Sequence, residues 1–183
     1  MLSVIIPAYN EEKGIAAIIN QVNNLPIEKE IIVVNDCSKD RTESILRGLS
    51  LNNLKVIHHV SNRGKVAAVH TGIENSAGEF ILIQDVNSEY GLNDYFKLLE
   101  AIKNPGVDMV SGSRFTKMRL GSSFLSIVFG VKLNDWFTHC QLVRRESLLK
   151  LLPELKSSNF AFEVLTKAIR KKMRVVEVLI SYD

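Results

Sequence analysis

The most constraining feature of this chain is a repeated change of period, in which short apolar runs alternate with stretches whose apolar residues recur at helical spacing. Residues 3–6, 30–34, 55–58, 80–83 and 108–111 read as strands, and residues 11–23, 42–49, 65–75 and 92–102 as helices. Ile15, Ile18, Ile19 and Val22 fall on one face of the first helix. Val66, Val69 and Ile73, with Ala67 and Ala68, do so on the third. Successive β-α-β units predict an α/β fold with a mostly parallel central sheet, helices on both faces and right-handed crossovers. The alternation breaks after Phe115, where residues 116–135 read as loop and helix, and a last strand over residues 174–180 closes the chain. Without an internal repeat or linker, residues 1–183 read as a single domain.

At 183 residues the chain can bury one sizeable core and is short for two independent ones. Hydrophobic residues at 46% and charged residues at 23% exclude a disordered chain. The net charge of +3 is mild, and no Lys/Arg block resembles a nucleic-acid arm, so no nucleic-acid partner is expected. The densest basic cluster, Arg170, Lys171, Lys172 and Arg174, reads as the exposed end of a helix, with a membrane surface as the alternative. Cys37 and Cys140 fit neither a zinc spacing nor a redox pair and suit a reducing cytosol. Met1 leads directly into a strand and no apolar run is long enough to span a bilayer, so the expectation is a cytoplasmic protein without signal peptide.

In an open parallel sheet, ligands sit beyond the carboxyl ends of the strands, so the residues there carry the functional argument. Asp85-Val86-Asn87 follows the buried run Phe80-Ile81-Leu82-Ile83. Oxygen side chains in that place either hold a hard cation shared with substrate phosphates or cap a turn. After the first strand, Pro7 reads as the strand's stop, Asn10 as a helix N-cap, and Glu11 and Glu12 as acids of a first turn. Tyr9 offers an aromatic face on which a flat base can stack. After the second strand, Ser38 or Asp40 can cap the next helix, whereas Asp36 can accept hydrogen bonds from a base edge and should tolerate truncation in its loop. After the third, Gly64 permits a close approach to a helix N-terminus that can receive phosphate, with Lys65 as countercharge.

Five segments recur in a known order: Ile6-Pro7-Ala8-Tyr9-Asn10-Glu11-Glu12; Val34-Asn35-Asp36-Cys37-Ser38-Lys39-Asp40-Arg41-Thr42; Asn62-Arg63-Gly64-Lys65; Gln84-Asp85-Val86-Asn87; and Gly112-Ser113-Arg114-Phe115. Together they resemble the inverting family 2 glycosyltransferases of the GT-A fold, above all the polyprenyl-phosphate mannosyl- and glucosyltransferase branch. The resemblance covers nearly the whole chain. It implies a nucleotide-sugar donor (GDP- or UDP-hexose), Mg²⁺ or Mn²⁺, and a polyprenyl phosphate acceptor met by peripheral contact with a membrane. It implies that Pro7, Ala8, Tyr9 and Glu11 line the nucleotide pocket, with Val34 and Asp36 at the base. Asp85 and Asn87, flanking Val86, fall on the outer positions of the D-x-D metal motif, and Glu89 on a further ligand position. Arg114 is implied to reach the diphosphate, with Lys65 as a second candidate. Asp135, Thr138 and Glu163 match acceptor-side and active-site positions; a hydroxyl acceptor would need a general base, for which Asp135 is the first choice. For Asp135 and Glu163, helix capping or a structural ion pair is an equal alternative.

The departures from the pattern are specific. Asn87 replaces the second acid of D-x-D, removing a negative charge from the metal site. Asn35 and Cys37 replace an acid and a glycine of the usual V-D-D-G-S run, and a β-carbon at Cys37 costs stability if the backbone there has positive φ. Residues 116–135 form a shortened acceptor side, within which Phe124, Leu125, Ile127, Val128 and Phe129 read as core packing in preference to a membrane-facing run. Two functions follow: an active hexosyltransferase, or a catalytically weak or inactive homologue that binds nucleotide sugar or a partner protein.

Overall fold

The computed structural model describes residues 1–87, 91–117, 120–157 and 159–181. The chain divides into two compact units, Met1–Ser88 and Glu89–Asp183.

The first unit carries four parallel strands in the order β3-β2-β1-β4: β1 (Leu2–Ala8), β2 (Lys29–Asn35), β3 (Leu54–His58) and β4 (Phe80–Ile83). Helices α1 (Ile15–Asn23), α2 (Thr42–Arg47) and α3 (Lys65–Glu74) connect them. Val4, Ile5, Ile6 and Ile31 through Val34 are fully buried, which is why β1 and β2 read as continuous apolar runs instead of alternating ones. Helix α1 buries Ile15, Ile18, Ile19 and Val22, the face set by its sequence spacing. Helix α3 lies so close to β1 that a β-carbon on Gly72 would collide with the Ile5 side chain.

Two local expectations are corrected here. Pro7 does not stop the first strand, because β1 runs on to Ala8 and pairs Pro7 with Val34. Pairing of β1 with β4 ends at Ile5, so the missing N–H of Pro7 leaves no ladder bond unmade on that side. Asn10 is not a helix N-cap: it sits at φ 57°, and α1 begins only at Ile15 after Gly14. Asn10 instead stitches two loops, donating its N–H to Ser38 Oγ (3.0 Å) and accepting from Lys39 N–H at Oδ1 (2.8 Å).

In the second unit, β6 (Gln141–Arg144) pairs antiparallel with β5 (Met109–Ser113), which pairs parallel with β7 (Val175–Leu179). Four helices accompany them: α4 (Asp94–Ile102), α5 (Leu120–Phe129), α6 (Arg145–Leu151) and α7 (Phe160–Arg170). Trp136 is fully buried, donates its indole N–H to Ser126 Oγ (3.1 Å) and packs against Phe129. The expectation that the apolar run of α5 is core packing is corrected: Phe124, Ile127 and Val128 are 67%, 81% and 59% exposed. A helix packed on one side leaves its other sides open, and α5 turns inward Ser126, which also accepts the Leu133 N–H, and Phe129. No helix among the described residues is long and apolar enough to cross a membrane.

Candidate active site

The carboxyl ends of β1, β2 and β4 open into a cavity of about 500 Å³ within the first unit. Pro7, Ala8, Tyr9 and Glu11 enter it from the loop after β1, and Asp36 from the end of β2. Lys65 enters from the first turn of α3, and Asp85, Val86 and Asn87 from the end of β4. Ten residues singled out in the sequence, Gly64 before Lys65 among them, thus meet at one sheet edge. Val34 does not join them. It is fully buried within β2 and does not line the cavity. Glu89 lies outside the described residues.

The loops around the cavity are held by side chains that accept backbone N–H groups. Thr42 Oγ1 takes the Glu11 N–H (2.8 Å), while Asp40 accepts from Glu12 (3.1 Å) and Thr42 (3.0 Å). Asp40, one residue before the N-cap Arg41, therefore accepts the first N–H of α2, and Ser38 does not. Asn35 is buried and neutral; its Oδ1 accepts from Ser38 N and Oγ, and its amide nitrogen meets His58 Nδ1 at 3.1 Å. Cys37 does adopt positive φ, 59°, the strained geometry the usual glycine would relieve.

Asp36 is more deeply committed to the fold than its loop position suggested. Its carboxylate is 2% exposed and accepts from His59 Nδ1 (2.6 Å), Arg63 N (2.9 Å) and Gly64 N (2.7 Å). His59 Nε2 in turn meets Thr71 Oγ1 at 2.9 Å on α3. Asp36 thus ties the end of β2 to the loop that starts α3, and the expectation that truncation leaves the fold intact is corrected. His59 was not singled out in the sequence, Asn62 appeared there only within a matching segment, and Ala68 only on the apolar face of the third helix. Ala68 lies one turn beyond Lys65, a spacing that could have placed it on the same face.

Tyr9 is 42% exposed at the rim, its ring open to stacking. Lys65 Nζ bridges both oxygens of Asp85, at 2.7 Å from Oδ1 and 2.8 Å from Oδ2. Asn87 turns its amide nitrogen toward Glu11 Oε2 at 3.2 Å. Among the described residues no group of three or more His, Cys, Asp or Glu side chains converges as a metal site. One carboxylate with a neighbouring amide oxygen does suit an Mg²⁺-type ion, which commonly takes only one or two carboxylates and completes its shell with water and substrate phosphates.

In the second unit Arg114 lines a separate open cavity with Phe115, Thr116, Lys117, Leu179 and Ile180. Its guanidinium is paired with Asp135, Nε to Oδ2 at 2.7 Å and Nη2 to Oδ1 at 3.0 Å. Burial pushes the Asp135 carboxyl up, but hydrogen bonds from Arg114 and from the Phe137 N–H outweigh it and hold the group below the usual carboxylate range. Both Asp135 oxygens are engaged by protein donors, the ion-pair arrangement that was one of its two alternatives. Glu163 is placed likewise: it accepts from Lys156 N (2.8 Å) and Ser157 N (2.7 Å) and pairs with Lys167 at 2.9 Å. Burial raises its carboxyl and these bonds more than offset the rise. Thr138 is buried and accepts the Cys140 N–H at 3.1 Å. Burial, with Asp94 nearby, pushes the Cys140 thiol up to about 12, which leaves it protonated and no nucleophile.

A parallel α/β unit with a polar cavity at its strand ends belongs to the open α/β class, in which ligands sit at that edge, and comparison with known proteins narrows the class. The profile described as glycosyl transferase family 2 matches residues 3–123, and the chain belongs to that family. A dolichol-phosphate mannosyltransferase of Pyrococcus furiosus is 30% identical over 151 residues, 81% of this chain and 39% of that protein. A dolichyl-phosphate beta-glucosyltransferase of Saccharomyces cerevisiae is 27% identical over 99% of this chain and 66% of its own length. The chain thus spans less than two thirds of either relative. Among solved structures, a mannosyltransferase from Pyrobaculum calidifontis in complex with GDP-Man and Mn²⁺ superposes with a TM-score of 0.75 at 20% identity, covering 98% of this chain and 55% of that one. A glucosyl-3-phosphoglycerate synthase from Mycobacterium tuberculosis gives 0.74 at 18% identity, covering 100% of this chain and 70% of that one. Likeness at this level establishes the mostly parallel α/β GT-A fold.

Proposed function

We propose that the chain transfers a hexose from GDP- or UDP-hexose to a polyprenyl phosphate, with inversion at the anomeric carbon, as one catalytic domain. The observation that carries this reading is the cavity at the ends of β1, β2 and β4, which gathers an exposed aromatic ring, a cation and an oxygen-bearing pair. Tyr9 stacks on the base, and Lys65 supplies positive charge to the diphosphate from the start of α3. Asp85 and the Asn87 amide oxygen, with Glu89, hold Mg²⁺ or Mn²⁺, which when bound neutralises charge growing on the departing nucleoside diphosphate. Arg114, presented by Asp135, is an anion-binding cation of the second unit.

An ionised phosphate acceptor needs no general base, whereas a hydroxyl does. The engagement of both Asp135 oxygens and both Glu163 oxygens by hydrogen bonds supports the phosphate. The exposed Phe124, Ile127 and Val128 of α5 support peripheral contact at the cytoplasmic face of a membrane, and Arg170 lies over the Phe129 ring of the same helix. Co-sedimentation with anionic liposomes, lost on Phe124→Asp, tests that contact.

The transfer itself is tested by incubating the protein with GDP-mannose or UDP-glucose, polyprenyl phosphate and Mn²⁺. Lipid-linked hexose of inverted configuration is expected. One observation favours a second reading, a weak or inactive homologue that only binds nucleotide sugar: Asn87 contributes no charge at the metal site and spends its amide nitrogen on Glu11. Nucleotide binding without lipid product would select it.

A further inference from the structure

We propose that Lys65 is an exchangeable counter-cation that reserves Asp85 until the donor arrives, so that divalent metal and nucleoside diphosphate bind cooperatively. The proposal rests on the donor-site reading above and concerns how that site is controlled.

Lys65 Nζ does not merely approach Asp85; it bridges both carboxylate oxygens, at 2.7 and 2.8 Å. Those are the oxygens a divalent ion would need, and an ammonium and a metal ion on one carboxylate repel each other. With Lys65 in place the pair is neutral and offers a lone cation little attraction. The pair is half-open, with Lys65 47% and Asp85 32% exposed, so the bridge can exchange without unfolding. The lysine backbone stays fixed meanwhile, because the preceding Gly64 N–H is held by Asp36 at 2.7 Å. Only the flexible four-carbon stem has to move.

The destination of the displaced ammonium decides the energetics. Of the other cavity carboxylates, Asp36 is filled by three protein donors and Glu11 accepts from the Asn87 amide at 3.2 Å. Metal entering alone therefore exchanges the lysine's ion pair for water. A diphosphate in the same cavity gives Lys65 a new anionic partner and gives the metal further oxygen ligands, so each exchange is balanced. Because coupling between two ligands is reciprocal, nucleotide tightens metal binding by the factor by which metal tightens nucleotide binding. Lys65 acts here as a positioning residue for the ion site in addition to its contact with phosphate.

Free Mn²⁺ measured by its paramagnetic resonance signal tests this, using native protein, Lys65→Met and Lys65→Gln, each with and without UDP or GDP. Without nucleotide, both variants should bind Mn²⁺ about fivefold or more tightly than native, the scale set by losing an exposed ion pair of about 1 kcal/mol. Nucleotide should strengthen Mn²⁺ binding to native protein, and by a smaller factor to either variant. Equal Mn²⁺ affinity of native and variants, or an undiminished nucleotide factor, overturns the proposal while leaving a nucleotide-binding cavity intact. Variants that gain Mn²⁺ but, like native protein, bind neither nucleotide overturn the coupling together with the donor-site reading.

Discussion

Arg114 and Asp135 form two parallel hydrogen bonds, Nε to Oδ2 and Nη2 to Oδ1, reinforced by the Arg114 backbone N–H on the same carboxylate at 3.3 Å. Asp135 is 2% exposed and Arg114 21%, so this is a half-buried pair, and its importance lies in what is left when one member goes. Asp135→Ala would leave a half-buried guanidinium without its partner and should cost about 1–3 kcal/mol in urea unfolding at neutral pH. A pH series adds a sign. The folded carboxyl titrates below the ordinary range, so its stabilisation is fully present above the unfolded value of about 4 and is lost as pH falls through the folded one. Asp135→Asn cannot titrate there, and the stability gap between native and Asp135→Asn should narrow as pH drops below about 4. A gap constant with pH would mean the pair contributes no charge-dependent stability.

Asp36→Ala should unfold at lower denaturant as well as lose nucleotide. Removing the carboxylate leaves the Arg63 and Gly64 N–H groups and His59 Nδ1 without their acceptor, and a buried unsatisfied donor costs about 1–3 kcal/mol. Unchanged stability, measured by chemical denaturation, would show that the loop re-forms around water.

Cys37→Gly should raise the melting temperature. A left-handed backbone costs a residue with a β-carbon about 1–2 kcal/mol, of which the extra chain entropy of unfolded glycine returns about 0.5–1. The net gain of up to about 1 kcal/mol would be visible by differential scanning calorimetry. A lower melting temperature would mean that the Cys37 side chain contributes packing worth more than the strain.

Asn87→Asp should tighten Mn²⁺ in the presence of nucleotide while lowering metal-free stability. It places a second carboxylate beside Glu11, where the native amide donates at 3.2 Å, so the apo protein gains a repulsion that the ion then relieves. Calorimetric titration with Mn²⁺ and thermal melting, read together, separate this from a merely structural effect, which would weaken both.

Much of the first unit was legible because its strands are buried on both faces and its helices carry one apolar stripe, as in α1 with Ile15, Ile18, Ile19 and Val22. The cavity followed, since every polar cluster at a strand end had to meet at one sheet edge. Individual roles were less legible. Residue type and position showed that Asp36 and Asp135 were at functional places, but not that three and four protein donors already filled their carboxylates. Strand β6 was missed because Gln141–Arg144 is only four residues with no alternation to mark it. The apolar residues of α5 were read as core because composition alone does not tell which side of a helix finds a neighbour.

The central claim is that the cavity beside Tyr9, Lys65 and Asp85 takes the nucleoside diphosphate of a sugar donor. Isothermal titration of native protein and Tyr9→Ala with UDP and GDP in the presence of Mn²⁺ tests it most directly. At least one nucleotide should bind the native protein, and Tyr9→Ala should weaken that binding by about 1 kcal/mol or more, the low end of a base–aromatic stack. No heat from either nucleotide, or equal affinity in the two proteins, would contradict it.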